Sequence, residues 1–360
     1  MGAKRITSLD VARKAGVSRT TVSFVLNNVT GMQISEETRK RVLDAAHDLG
    51  YVPDAAAQAL ASGRSKTIGL LLARRPHVIA SDMFLTQIME VLVREVTRQG
   101  MRLMLEVVED YENSESYLKL VRSNSIDGVL YSGPRYGDEA LNVLVRQGIP
   151  TVLMGALPDS KYNYVDVDNH SAAQRAVKHL IDLGHKQIAC ITNARQSYAA
   201  AADRLNGYQL ALEQAGIAYD PALVRWGDFD PESGYKQMKL LINSGQPFSA
   251  VFIASDVVAF GAMAAVREAG LRMPEDVAMV GFDDVMLSRY VDPSLTTVHL
   301  PVIDLALRAS EMVVQLIRGE QPEQHQVLLE ATLRVRKSCG GQAGNLTENM
   351  ERNQNVGEEP

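Results

Sequence analysis

The sequence is poor in cysteine and has no long apolar run. Its two cysteines, Cys190 and Cys339, form no CxxC pair and stand near no histidine cluster, which predicts a reducing compartment and no disulfide framework. No run approaches the roughly 20 apolar residues of a membrane span, and residues 1–6 lack the apolar segment of a signal peptide. These absences predict a cytoplasmic protein that does not bind a membrane.

The usual sequence signatures of enzymes are also missing. We find no glycine-rich phosphate loop, no nucleophile elbow and no pair of catalytic carboxylates, and the seven histidines show no metal-ligand spacing. Asp166 and Asp168 alternate along a predicted strand, but no third ligand accompanies them, so we interpret them as capping residues. The sequence therefore favours a protein that is not an enzyme and that has neither a metal site nor a cofactor.

Length and charge indicate more than one domain. With 360 residues, of which 46% are hydrophobic and 22% charged, the chain is typical of a globular protein with a large core. Residues 1–66 hold ten Lys and Arg against six Asp and Glu, a net charge of +4, so the remaining residues carry −10. A basic segment joined to an acidic body is typical of a chain whose first part alone binds phosphates.

The basic segment begins with a pattern of two short helices joined by a tight turn. Thr7 and Asp10 resemble a capping pair, Gly16 can supply the turn, and Ser18 can cap the second helix. The apolar residues that share one face are Leu9, Val11, Ala12 and Ala15 in the first helix and Val22, Val25 and Leu26 in the second. Because the opposite face of the second helix is rich in donors, we predict a helix-turn-helix, with an ordinary helical hairpin as the alternative.

A third helix and a short alanine-rich segment follow. The third helix is predicted between Ser35, as its N-cap, and Gly50, as its stop. Residues 55–61 are far fewer than the roughly 12–15 at which an isolated helix becomes marginally stable. We interpret this segment as a hinge helix that forms only when it packs on something, and a plain linker is the alternative.

From Lys66 onward the pattern alternates between strands and helices. Buried runs such as residues 68–72 alternate with amphipathic segments, including a predicted helix at 116–122, and the alternation repeats in a second set that starts at Val165. Two such sets predict an α/β core of two doubly wound, parallel-sheet subdomains. A helix at 303–317 is expected to return to the first set.

Several motifs in both halves resemble the LacI (lactose repressor) family of bacterial transcription regulators. In the first 53 residues they are LDVA at 9–12, AGVS at 15–18, TVS at 21–23, VLN at 25–27 and YVP at 51–53. In the body they are LGHKQIA at 183–189, RLNGY at 204–208, GFDD at 281–284 and PSLTTV at 293–298. The resemblance covers residues 6–336.

The resemblance implies a small all-α helix-turn-helix head, a hinge helix and a regulatory core of the periplasmic-binding-protein type. We place the head at 1–52, the hinge at 53–65 and the core at 66–338. Within the core, the first subdomain is expected at 66–162 and 292–322, and the second at 163–291 and 323–338. Residues 339–360 are expected to form a disordered tail, since they are polar and aperiodic.

For the head, the resemblance implies that the helix beginning at Arg19 enters the major groove. Arg19 and Thr20 would then contact base edges. The other DNA-binding residues that it implies are Thr7, Ser8, Ser18, Thr21, Ser23 and Asn28, most of which would contact phosphates. Phe24 departs from the family, whose members often carry Arg or His at this position, so a polar base contact is lost there.

For the hinge, Ala57 and Leu60 match the family pattern. Leu60 would wedge into the minor groove, where the cost of opening a base step is offset by contacts to the bent duplex. The alternative is that Leu60 only packs against its counterpart in a dimer.

For the core, the resemblance implies a small-molecule effector in a cleft between the subdomains. The implied effector-binding residues are Phe84, Ser132, Arg204, Phe229, Ser255 and Asp283. Arg204 and Asp283 would hold hydroxyl groups by charge-assisted hydrogen bonds, and Phe229 would stack on an apolar sugar face. Phe229 as plain core and Arg204 as a surface ion pair are the alternatives. Gly155 and Ala156 stand where several relatives carry a polar ligand contact.

Together these features predict a sequence-specific transcription regulator, most often a repressor, although an activator is also consistent with the sequence. Its expected partners are a palindromic double-stranded DNA operator, a sugar-like effector, and further copies of the chain in a homodimer or homotetramer. A free-standing sugar-binding protein is the rival class, but it predicts a signal peptide and no helix-turn-helix.

Overall fold

The computed structural model describes residues 6–27, 33–52, 64–74, 79–108, 125–157 and 161–341. The chain divides into two units, which we call the head unit (Met1–Lys66 with Asn124–Ile126) and the core unit (Thr67–Ser123 with Asp127–Pro360). The predicted hinge helix at 55–61, with Ala57 and Leu60, lies outside the described residues, as do Asn28 and the predicted helix at 116–122.

The head unit contains three helices: α1 (Ser8–Ala15), α2 (Arg19–Leu26) and α3 (Glu36–Asp48). Their shared core consists of small apolar side chains, namely Val11, Ala12, Ala15, Val22, Val25, Val42, Ala45 and Ala46. Leu9, which we predicted on the apolar face, is instead 46% exposed. At 3.6 residues per turn it stands about 200° around the helix from Val11, and therefore on the outer side.

The core unit alternates strands and helices along the chain. In chain order the elements are β1 (Thr67–Leu72), α4 (Met83–Arg98), β2 (Arg102–Val107), β3 (Gly128–Ser132), α5 (Glu139–Arg146), β4 (Thr151–Met154), β5 (Asn163–Val167), α6 (Asn169–Asp182), β6 (Ile188–Thr192), α7 (Ala199–Gln214), β7 (Val224–Trp226), α8 (Pro231–Asn243), β8 (Ala250–Ile253), α9 (Asp256–Glu268), β9 (Ala278–Asp283), β10 (Thr296–His299), α10 (Val302–Arg318), β11 (Gln326–Leu329) and β12 (Thr332–Arg334).

These strands form two six-stranded sheets. The first has the order β11-β5-β4-β3-β1-β2 and is parallel throughout. The second has the order β12-β10-β9-β8-β6-β7, in which only β12 runs antiparallel to its neighbour. The central strands are almost fully buried, as is usual where helices cover a parallel sheet. The predicted α/β class with two doubly wound subdomains is confirmed.

The chain passes between the two sheets three times, and our subdomain bounds were wrong at these crossings. β5 and β11, which we assigned to the second subdomain, lie in the first sheet, whereas β10, which we assigned to the first, lies in the second. The chain therefore crosses after β5, after β10 and after β11. An alternation of strands and helices shows where a strand lies along the chain, but not which sheet it joins.

The helices distribute between the two sheets in the same way. α10 packs on β3, β4 and β5, which confirms that this helix returns to the first subdomain. α6 packs on β8, β9, β10 and β12, so the second subdomain begins with this helix rather than at residue 163.

The predicted end of the core at residue 338 cuts through a short helix. Lys337–Cys339 form a short 3-10 helix, and Cys339 is 2% exposed, with the Thr296 hydroxyl donating to its Sγ atom at 3.1 Å. Cys339 is therefore part of the core and not of a disordered tail. Residues 342–360 lie outside the described residues.

The described ranges of the chain lack two further kinds of feature. They contain no helix long and apolar enough to cross a membrane. They also contain no group of three His, Cys, Asp or Glu side chains placed to hold a metal ion.

Candidate functional sites

The first candidate site is the exposed side of α1 and α2 in the head unit. The caps that we predicted are present: Thr7 and Asp10 form a reciprocal capping box, and the Ser18 hydroxyl accepts from the backbone N–H of Thr21 at 3.0 Å. Gly16 adopts φ 66° at the turn, a left-handed conformation that glycine tolerates best. The turn and its caps thus position α2 against α1.

Arg19 stands at the first position of α2 and is exposed. Its Nε donates to the Ser8 hydroxyl at 3.0 Å, so one edge of the guanidinium is held by α1. A guanidinium has two further NH2 groups, whose fork geometry suits guanine acceptors. Thr20 is exposed beside it, whereas Thr21 and Ser23 are half-buried.

The polar side chains around Arg19 are engaged within the head. Thr7 belongs to the capping box, Ser18 caps α2, and the Ser23 hydroxyl accepts from the Asn27 side chain at 3.1 Å. These hydroxyls hold the helices in place, while Arg19 and Thr20 stand exposed at the start of α2. All the predicted head residues that the structure describes lie at the N-terminal ends of α1 and α2, except Ser23, which lies in the second half of α2.

The second candidate site is a cleft in the core unit, at the carboxyl ends of strands from both sheets. Ser132 ends β3 and Asp283 ends β9, while Ser255 follows β8 and Phe229 follows β7. Ligands of open α/β proteins bind at this end of the strands. The cleft holds a narrow cavity of about 40 Å³, whose wall includes Phe84, Ser132 and Arg204.

Arg204, on α7, is the centre of a buried network in the second subdomain. Its Nε donates to the Asn169 amide oxygen at 2.9 Å, and its Nη1 donates to the Ala254 carbonyl at 2.6 Å. Nη1 also lies 3.5 Å from an oxygen of Asp283, and the guanidinium stacks 3.8 Å from the centre of the Phe282 ring. Since Arg204 is only 7% exposed, the alternative of a surface ion pair is excluded.

Two buried carboxylates lie beside this arginine. Asp283 forms a hydrogen bond with Ser255, and burial raises the pKa of its carboxyl although Arg204 opposes the shift. Asp256, at the start of α9, accepts hydrogen bonds from the Val285 backbone, Ser288 and Thr297. Burial also raises the pKa of Asp256. Burial penalises the charged form of each group, so both carboxyls hold their protons to higher pH than exposed ones.

Phe229 lies next to the cavity wall rather than in it. It packs edge-on against Tyr198, with ring centres 5.1 Å apart, and Tyr198 lines the cavity. Phe229, Asp283 and Asp284 have φ angles of 57°, 114° and 54°. Non-glycine residues rarely adopt such angles, and they tend to cluster at functional sites when they do.

Three polar or aromatic residues of the cavity wall were not predicted from the sequence as site residues. They are Arg74, Tyr198 and Asp166. Arg74 stands two residues after Leu72, the last residue of β1, and this position at the carboxyl end of a buried strand could have been recognised. Asp166 is no capping residue, because backbone N–H groups of Ala156 and Val167 and the Asn169 amide donate to it. Burial raises its pKa to about 6. Asp168 does cap α6, as we predicted.

One edge of the cleft is closed by backbone contacts between the subdomains. The Ala199 N–H donates to the Pro134 carbonyl at 3.2 Å, and the Tyr136 N–H donates to the Ser197 carbonyl at 2.9 Å. Arg135 and Tyr198 form an antiparallel bridge between these segments. The two subdomains therefore meet in a closed arrangement at this edge.

The fold and the two sites define a class: a protein with a helix-turn-helix head and a two-subdomain core of the kind that encloses small molecules. Family models agree with this class. Residues 7–54 match "Bacterial regulatory proteins, lacI family", and residues 177–339 match "Periplasmic binding protein-like domain".

Relatives align along nearly the whole chain. The HTH-type transcriptional regulator CelR of Thermobifida fusca is 34% identical over 338 residues, which are 93% of this chain and 98% of the relative. The HTH-type transcriptional repressor PurR of Pasteurella multocida (strain Pm70) is 33% identical over 336 residues, which are 92% and 98% of the two chains. The chain belongs to the LacI family of bacterial transcription regulators, which are DNA-binding proteins of the cytoplasm and not enzymes.

Solved structures give the same result. A CelR–cellobiose complex superposes with a TM-score of 0.71 at 33% identity, covering 93% of this chain and 100% of that one. A lac repressor dimer bound to operator and the anti-inducer ONPF superposes with a TM-score of 0.80 at 29% identity, covering 93% and 99%.

Proposed function

We propose that this regulator is a repressor that binds a palindromic operator as a dimer or tetramer, and that a small carbohydrate-like effector in the cleft controls its operator affinity. The observation that carries the proposal is the buried pair of Arg204 and Asp283 in a cleft where Phe229 lies next to the cavity wall. A charged donor and a charged acceptor suit the hydroxyl groups of a sugar, and the ring offers an apolar surface. The cellobiose complex of CelR supports a sugar as the ligand class.

The size of the cavity bears on how such an effector acts. About 40 Å³ corresponds to only a few water molecules, so a sugar ring requires the two subdomains to move apart. A ligand that binds an opened cleft better than a closed one shifts the equilibrium between these states. Effector binding is thereby coupled to the conformation of the core.

In the head, we assign base contacts to Arg19 and Thr20 and phosphate contacts to Thr7, Ser8, Thr21 and Ser23. Ser18 supports this face as the cap of α2. The exposure of Arg19 and its bond to Ser8 support the assignment. Asn28 as a phosphate contact, and Ala57 and Leu60 as hinge residues in the minor groove, remain part of the proposal on the strength of the family pattern alone.

The experiment begins with a search for the effector among mono- and disaccharides by thermal unfolding. A ligand at 100 times its dissociation constant stabilises the folded protein by about 2.7 kcal/mol. Operator affinity is then measured with and without that ligand. Because coupling is reciprocal, the operator must change effector affinity by the same factor.

Asp283→Ala tests the cleft directly. We expect effector affinity to fall roughly ten- to a hundredfold, since a hydrogen bond to a charged group contributes about 1.5–3 kcal/mol, while operator affinity without effector stays the same. Asp182→Ala, at an exposed carboxylate of α6, is the matched control. A response of Asp283→Ala to the effector equal to that of the wild type would show that this cleft is not the effector site.

A further inference from the structure

Arg74 occupies the place where a sugar would be expected to stack. It follows β1 in the first subdomain and is only 5% exposed. Its guanidinium lies over the Phe229 ring of the second subdomain, 4.7 Å from the ring centre. One arginine thus spans the cleft and covers the aromatic face that the proposed function assigns to the effector.

The hydrogen-bonding capacity of Arg74 is not filled. It forms an ion pair with Asp82, but its buried Nε has no hydrogen-bond partner among the residues that the structure describes. A buried donor without a partner is costly, and more so on a charged group. Because Arg74 lies in the cavity wall, a ligand in the cavity can supply the missing acceptor.

The other two charged groups in the described part of the cavity wall, Asp166 and Arg204, already have hydrogen-bond partners. Asp166 accepts three hydrogen bonds, two of them at 2.7 Å from backbone N–H groups. Arg204 donates to Asn169 and Ala254 and faces Asp283. The group in this wall that still lacks a partner is therefore a cationic hydrogen-bond donor, Arg74 Nε. The strongest partner of such a donor is a negatively charged oxygen.

Asp82 can release Arg74 without losing all its partners. Its Oδ1 accepts from the Leu85 backbone N–H at 2.9 Å, as the N-cap of α4. A carboxylate at a helix N-terminus is stabilised by the helix itself. Arg74 can therefore turn from Asp82 and Phe229 toward a ligand, and in doing so it uncovers the ring.

We propose that Arg74 binds an acidic group of the effector, a carboxylate or a phosphate, so that the effector is a sugar acid or a sugar phosphate rather than a neutral sugar. The inference rests on the proposed function, because it concerns the ligand of the same cleft. In this assignment, Arg74 selects acidic over neutral ligands, whereas Arg204 and Asp283 bind hydroxyl groups.

The test uses matched neutral and acidic compounds with the full-length protein. Titration calorimetry compares glucose with glucuronate, gluconate and glucose 6-phosphate, and cellobiose with cellobionate, so that the carboxylate and phosphate arms are separate. The variants are Arg74→Gln and Arg74→Lys, with Arg308→Gln as a control at an exposed arginine of α10. Circular dichroism verifies that each variant is folded.

We expect an acidic compound to bind the wild type at least tenfold more tightly than its neutral partner. Arg74→Gln should weaken the acidic compound by about ten- to a hundredfold and leave the neutral one unchanged or tighter, because the Phe229 ring is uncovered. Arg74→Lys, which keeps the charge, should retain part of the preference, and Arg308→Gln all of it.

Two results would overturn the inference. If the neutral sugars bind more tightly than their acids and Arg74→Gln changes neither, Arg74 does not select the ligand, while the proposed function stands. If no compound of either series binds, both the inference and the carbohydrate class of the proposed function fail.

Discussion

The candidate base-reading side chains of the head unit, Arg19 and Thr20, are exposed, whereas most candidate effector-binding side chains of the core unit are buried. Arg19 lies on the surface of a small helical fold and makes one bond to Ser8. Arg204 and Asp283, at 7% exposure each, are held in a network of charged and polar groups. Substitution in the head should therefore change binding without changing stability, whereas substitution in the core should change both.

The two units also differ in how far their sites depend on distant parts of the chain. The described part of the candidate DNA-binding face is formed within the first 27 residues by caps and a turn. The cleft joins residues from both ends of the core, such as Arg74 and Asp283. Substitutions in the two units test this contrast through their effects on stability and on binding.

Arg204→Met should destabilise the core by about 3–5 kcal/mol, because it removes the partner of buried polar groups around Asn169 and Asp283. Thermal or denaturant unfolding measures the loss. Arg308→Met, at an arginine whose side chain is 65% exposed, should leave the unfolding transition nearly unchanged. Equal effects of the two substitutions would show that the buried network contributes nothing to stability.

Asp166 should make the stability of the core depend on pH. Burial raises its pKa from 3.8 to about 6, so the folded state retains a proton that the unfolded state loses between these values. The contribution of this group is complete below about pH 4 and is lost as the pH rises through 6, and it amounts to roughly 2–3 kcal/mol.

Unfolding of the wild type and of Asp166→Asn between pH 4 and pH 8 measures this contribution. The Asn variant cannot titrate, so its stability should fall less over that range. Parallel curves for the two proteins would rule out a raised pKa at Asp166.

Arg19→Ala should weaken binding to the preferred operator by about 1–3 kcal/mol per subunit and relax base preference at one position of each half-site. The unfolding transition should not move, since the side chain is exposed. Binding selection from a random DNA library measures the preference. An unchanged preferred sequence at unchanged affinity would remove Arg19 from the base-reading residues.

Ser8→Ala should have the smallest effect. It removes the hydroxyl that holds Arg19 Nε at 3.0 Å, an exposed bond that contributes about 0.5 kcal/mol, or roughly a twofold change in operator affinity. In combination with Arg19→Ala it should cost less than it does alone, because the bond to Arg19 is then already absent and only the proposed phosphate contact of Ser8 is left to lose. Fully additive losses would show that the Ser8–Arg19 bond contributes nothing to operator binding.

Much of the head could be predicted from sequence because its signals are local. Thr7 with Asp10, Gly16 at the turn and Ser18 before α2 act on backbone groups within four residues. Leu9 was the exception, although helix periodicity alone places it about 200° from Val11 and therefore on the outer side.

The α/β class of the core and its family motifs could be predicted from the sequence, but the assignment of its strands to the two sheets could not. The sequence of β5 alone does not show which sheet this strand joins. That is decided by its pairing partners, β4 and β11, which lie at residues 151–154 and 326–329. The same holds for Cys339, which is buried against Thr296.

By itself, the sequence determined the helix-turn-helix with its caps, the alternation of strands and helices, and membership of a family of regulators. Only the tertiary structure decided that Arg74 lies over Phe229 and that Asp166 lines the cavity instead of capping a helix. The reason is physical: capping and periodicity act between near neighbours in the chain, whereas the burial of a charge also depends on segments that folding brings together from distant parts of the chain. Arg74 and Phe229, at the two sides of one cleft, show that difference directly.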